Sequence, residues 1–147
     1  MSETLSPAET SDLRCFAGMM IPASAEFNVP GADDDAIFGD ITGSLKRDIG
    51  AVREALALLA TLGGGAFAEL PAERRQDVAA EFRARGATAC RTLSRVVLQC
   101  YYRDDRVLHS LGLEPRAPFP KGHTLEQGDW SLLEPVRARP KLWRDAT

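Results

Sequence analysis

The sequence predicts an all-α protein: a compact bundle of four or five helices with a long, irregular C-terminal arm rich in proline and tryptophan. Two observations predict the bundle. Apolar residues recur at helical spacing through the first 112 residues, and no run alternates apolar and polar side chains as a half-buried strand would. A third predicts the arm. From Leu113 to Thr147 the chain carries five of its nine prolines and both tryptophans, and no helical period. The expected organisation is a helical body over 1–112 and an extended arm over 113–147, within one domain or wrapping a partner.

The first helix has a strong start signal. Ser6 caps it, Pro7 takes the first helical position and Glu9 the third, which makes a capping box. Leu13, Phe16, Ala17 and Met20 then give one apolar face, and Pro22 ends the helix near Met20 or Ile21. Residues 22–32 read as a loop. Asp33, Asp34 and Asp35 suit the N-terminus of the next helix; they lack the alternating spacing and closing glutamate of a calcium loop.

The next helical region spans about 34–62, with a break expected near Gly43 or Gly50. In its second half Ile49, Val52, Leu56, Leu59 and Leu62 continue one stripe, widened by Ala55 and Leu58, so this segment is the expected core. The triplet Gly63-Gly64-Gly65 follows a helix and lacks the lysine of a phosphate-binding loop, so it reads as a C-cap. Pro71 opens a third helix that Gly86 stops near Arg85. Its apolar face is only Val78, Ala79 and Phe82, and its many charges are expected to form a solvated face with helical ion pairs. Thr88 is the expected cap of a fourth helix running to Tyr102 and buried through Leu93, Val96, Val97, Cys100 and Tyr101. A short fifth helix, Asp104 to Leu111, stops at Gly112.

In the arm, Pro115, Pro118, Pro120, Pro135 and Pro140 disfavour long helices, although residues 131–134 can add one turn before Pro135. Phe119, Trp130 and Trp143 are large apolar groups that a disordered tail would normally lack. They predict either folding back onto the bundle or packing against another chain. Six basic and five acidic side chains mix along the arm, a pattern that suits a polar rim around aromatic anchors.

Composition narrows the function classes. A net charge of -3 with a pI near 5.4 argues against a nucleic-acid binder. The start of the chain has no basic n-region, apolar h-region or twin arginine, and the longest apolar stretch is too short to span a bilayer. The expected location is therefore cytoplasmic, or periplasmic if an export signal has been removed. Three cysteines without metal-type spacing read as small apolar thiols in a reducing compartment. Cys90 and Cys100 fall on different faces of one helix and are not expected to pair.

No catalytic constellation is visible. The two histidines, His109 and His123, have no thiol or hydroxyl partner in an activating pattern, and no nucleophile elbow, zinc or dinucleotide motif occurs. The candidate partner-binding residues are Phe119, Trp130, Trp143, Tyr101, Tyr102 and His123, the two tyrosines more as braces of the fourth helix against the arm. An enzyme reading would rest on His123, Asp129 or Tyr102.

Two segments resemble the small, third subunit of gluconate 2-dehydrogenase and its relatives. The first is Ile21-Pro22-Ala23 followed by Pro30-Gly31-Ala32-Asp33. The second runs from Tyr101-Tyr102-Arg103-Asp104-Asp105-Arg106-Val107 through Leu111-Gly112 to Pro118-Phe119-Pro120-Lys121-Gly122. The family has a similar IIPA…PGA loop after its first helix and a similar YY…V…LG step before a proline–glycine stretch. The resemblance implies a non-catalytic subunit that binds and stabilises an FAD-dependent oxidoreductase of the glucose–methanol–choline type. The FAD and the catalytic residues would then lie in the large subunit and no cofactor in this chain. The alternative is a helical scaffold or regulatory module with an unrelated partner. Cutting the chain after Leu113 is expected to weaken such a complex more than it weakens the bundle.

Overall fold

A computed structural model describes residues 4–117, 119–122 and 124–141. Among them are seven α-helices and no strand, so the protein is all-α. The chain divides into two units, with the boundary between Pro115 and Arg116.

The first unit is the helical body. α1 (Pro7–Met20) begins at the expected capping box: Ser6 Oγ accepts from Glu9 N–H at 3.2 Å, and Glu9 accepts from Ser6 N–H at 2.7 Å. α2 (Asp35–Ser44) starts at Asp34, whose carboxylate accepts from the amides of Ala36 and Ile37. A 3-10 turn, Lys46–Asp48, then leads into α3 (Ile49–Gly63). The region expected as one interrupted helix is thus two helices, and the body holds six α-helices, α1 to α6. The break falls between the two glycines that were its candidates. Leu45, 3% exposed, turns into the core there, and Asp48 N–H closes a tight turn on the Leu45 carbonyl at 2.6 Å. Gly43 and Gly50 remain inside helices, where glycine costs only about 1 kcal/mol.

α3 ends at Gly64, whose φ of 76° is the left-handed conformation that glycine adopts without strain. α4 (Ala72–Arg85) follows Pro71 at its N-cap, and α5 (Ala87–Tyr101) follows Gly86. Thr88 is not the cap of α5. It lies within the first turn, and its hydroxyl accepts from Arg91 at 3.3 Å. α6 (Asp105–Ser110) is capped by Asp104.

α3 packs on α4 and α5, and α5 also packs on α2, so the core lies along α3 and α5. Val52, Ala55, Leu56 and Leu59 are buried as the stripe predicts, while Ile49, Leu58 and Leu62 are partly buried at its edge. Phe82 is fully enclosed and meets the Phe16 ring edge-on, with centroids 6.0 Å apart. Asp12 is the one buried charged residue among those described. Its carboxylate accepts from the Ala68 amide at 2.8 Å and ties α1 to the 3-10 turn Phe67–Glu69.

The charged face of α4 is only partly solvated. Glu81 and Arg85 make the expected i,i+4 pair at 2.7 Å. Arg75, by contrast, is half-buried and donates to Cys15 Sγ at 2.8 Å. All three cysteines are free. Cys100 is buried, as expected of a small apolar thiol, whereas Cys15 and Cys90 are half-buried.

The second unit carries the arm. Arg116 donates to the carbonyls of Ala117 and Gly122. Asp129 caps a 3-10 turn, Trp130–Leu133, that runs directly into α7 (Glu134–Arg137). Pro135 does not end the helical segment. It occupies the first turn of α7, where its missing N–H is no loss.

Candidate functional site

Two surfaces present groups that a ligand or partner can reach. One is on the body, where the loop after α1 meets the α5–α6 corner. The other is the arm.

The loop at 21–34 is a small hairpin. Ser24 and Val29 exchange both backbone hydrogen bonds at 3.0 Å, and Ser24 Oγ accepts from the Phe27 amide at 3.3 Å. Asn28 makes the turn with φ at 51°, a conformation that asparagine tolerates better than most residues. The base of the hairpin is locked by Ala32 N–H donating to the Ile21 carbonyl at 2.9 Å. Gly31 is required by space: a Cβ there would sit 2.9 Å from Ala23 N and 3.3 Å from the Ile21 carbonyl oxygen.

Side chains from distant helices brace this hairpin. Arg14 on α1 donates twice to the Asp33 carbonyl, at 2.9 and 3.1 Å, and pairs with Asp35. The Tyr101 hydroxyl donates to the Pro30 carbonyl at 3.2 Å. Arg106 lies between two carboxylates, 2.7 Å from Asp34 and 2.9 Å from Asp104. Its hydrogen bonds hold both acids below the ordinary carboxylate range, and they in turn hold the guanidinium even more firmly protonated. Asp40 is lowered in the same way by Arg103, at 2.6 Å. Burial pushes the Cys100 thiol and the Tyr101 phenol up.

Between the hairpin and α6 lies an open recess of about 780 Å³, lined by Phe27, Val29 and Pro30 on one side and by Arg106, His109 and Ser110 on the other. A second groove of about 800 Å³ runs between α1, α4 and α5 and includes Met19, Met20 and Cys90. Among the described residues no group of three histidine, cysteine or acidic side chains is placed to hold a metal, and no helix is long and apolar enough to cross a membrane.

The expected site residues fall in different places. Phe119 and Trp130 are exposed on the arm, at 86% and 62%, and Leu125 and Leu132 stand open with them. Tyr102 is exposed on the body, its ring edge-on to Tyr101. Tyr101 is enclosed at 4% and spends its hydroxyl on the hairpin, so burial removes it from the set of surface contacts. His123, Trp143 and Pro118 lie outside the described residues. Asp129 uses its carboxylate to cap Ser131, accepting from both its amide and its hydroxyl; those bonds lower its pKa.

Sequence reasoning missed Phe27 and Arg106. The signal for Phe27 was present: an aromatic between turn-forming Ser24 and Asn28, bracketed by Pro22 and Pro30. Arg106 and Asp34 are 72 residues apart, and no local pattern announces their pairing.

No family model matches the chain, and neither a curated protein nor a solved structure matches it.

Proposed function

We propose that this chain is a non-catalytic small subunit that binds and stabilises an FAD-dependent oxidoreductase of the glucose–methanol–choline type. The observation that carries the reading is the exposure of large apolar side chains along the arm: Phe119, Leu125, Trp130 and Leu132. A set of such groups in water is what a docking segment presents before it meets its partner. The resemblance supplies the class of partner. Within the body, its two segments meet where the Tyr101 hydroxyl donates to the Pro30 carbonyl. The FAD and the reacting groups belong to the large subunit in this reading, and this chain contributes binding surface.

The test is co-expression of the full chain with an FAD-dependent oxidoreductase of the glucose–methanol–choline type, sought first in the adjacent reading frames. The expected result is a co-purifying complex and a flavoprotein of higher thermal stability. Replacing both Phe119 and Trp130 by alanine is expected to weaken the complex by about 2 kcal/mol or more. Failure of the wild-type chain to co-purify, with no change in flavoprotein stability or activity, overturns the proposal.

A further inference from the structure

The outer side of α5 is basic, although the chain as a whole carries a net charge of -3. The helix holds no acidic residue. Arg91, Arg95 and Leu98, with Tyr102 at the C-cap, follow one another at three- and four-residue steps. They therefore share one side of the helix, and all four are exposed. Arg95 reaches Asp48 at 2.9 Å, which places the 3-10 turn Lys46–Asp48 beside this side. The turn brings two further exposed cations, Lys46 and Arg47. Arg103, just past the helix, pairs with Asp40 at 2.6 Å. Asp48 and Asp40 are thus already engaged. Lys46, Arg47 and Arg91 make no ion pair among the described residues; Arg91 donates to the Thr88 hydroxyl instead. Folding leaves this side of the body with a surplus of positive charge.

We infer that the outer side of α5, with the turn Lys46–Asp48, is a docking surface for an acidic segment of the flavoprotein subunit, one in which an apolar side chain adjoins aspartates or glutamates. The inference rests on the function proposed above and adds where on the body the partner sits and what chemistry it brings. The carboxylates meet Lys46, Arg47 and Arg91. The apolar side chain lies on Leu98 and Tyr102, which are 39% and 53% exposed. Unpaired cations raise the rate of encounter with an acidic partner and fix its orientation, while the apolar end supplies area to bury. A phosphate polyanion matches less well. It is met by rows of cations on a basic domain. Here Asp48 and Asp40 stand among the cations, and the surface runs on into apolar side chains.

Binding of the purified full-length chain to the flavoprotein, measured at low and at physiological salt, tests this. The double variant Arg47→Glu, Arg91→Glu is expected to weaken binding about tenfold at low salt and to flatten its salt dependence. The double variant Leu98→Ala, Tyr102→Ala is expected to weaken it about tenfold with the salt dependence unchanged. Arg74→Glu, Arg83→Glu reverses the same number of exposed charges on α4 and leaves binding within threefold of wild type. All of these residues are exposed, so melting temperatures stay near that of the wild type. If wild-type chain binds and either α5 variant binds within threefold of it, the docking surface is wrong while the proposed function stands. Equal weakening by the α4 variant overturns it too, because net charge and not this surface is then at work. So does tighter binding of duplex DNA or of anionic phospholipid vesicles than of the flavoprotein through Arg47 and Arg91. If wild-type chain does not bind the flavoprotein, the function itself fails and the docking surface falls with it.

Discussion

The body and the arm use the same residue types to opposite ends. In the body, Phe67, Phe82 and Leu93 are fully enclosed; in the arm, Phe119 and Leu125 are 86% exposed and Leu132 73%. The difference is one of length and of local structure. Six helices give each apolar side chain neighbours on several elements, whereas the arm has one 3-10 turn and a four-residue helix to offer among its described residues. A segment this short rarely encloses its own large side chains. The comparison teaches that apolar content alone does not say whether a segment is core or contact surface. What decides is how many packed elements stand within reach.

Substitutions can break or sharpen that contrast. The largest effect is expected in the body's centre. Phe82→Ala should cost about 3–5 kcal/mol, through lost burial and the cavity left beside Phe16, read from the urea midpoint. A cost below about 1 kcal/mol would mean that the body is as loosely packed as the arm. Asp12→Ala leaves the Ala68 amide without its acceptor and should cost about 1–3 kcal/mol in the same measurement. Tyr101→Phe removes only the hydroxyl on Pro30. It should cost about 1 kcal/mol and speed amide exchange in the hairpin more than in α3.

Acidification should act on the body's ionic corner. Asp34, Asp40 and Asp104 are lowered by their arginines, so their contribution is present above the unfolded carboxylate pKa near 4. It is lost as pH falls through the lower folded values. Stability should therefore be flat from about pH 7 to 5 and decline below about pH 4. Arg106→Ala should shrink that decline while costing less than about 1 kcal/mol at pH 7, because the pair is half-exposed. The smallest effect is reserved for the arm. Trp130→Ala should change folding stability by no more than about 0.5 kcal/mol, since its ring is already in the open.

Much of the fold was legible because its signals are local. Ser6, Pro7 and Glu9 announce α1 within four residues, and the stripe through Val52, Ala55, Leu56 and Leu59 announces the core helix. Where packing outweighs propensity, local signals mislead. Leu45 places the bend between α2 and α3 away from both glycines, and Arg75 turns inward on a face that looks wholly solvated. The candidate site was legible only in part. Exposed Phe119 and Trp130 stand among residues chosen for size and context, but the buried Tyr101 could not be told from the exposed Tyr102 beside it without knowing where Pro30 lies. The hairpin site depends on side chains brought together from three separated stretches of chain, which periodicity does not register.

Gly31 has a use beyond holding the hairpin closed. A Cβ there would fall 2.9 Å from the Ala23 amide nitrogen, so any other side chain forces the hairpin backbone to shift, and a saturation library at this position should return glycine above all others from among the folded clones. A glycine held in this way, two residues before an aspartate and thirteen after another glycine, is the kind of landmark by which distant cousins of this chain could be aligned once the rest of their letters have drifted apart.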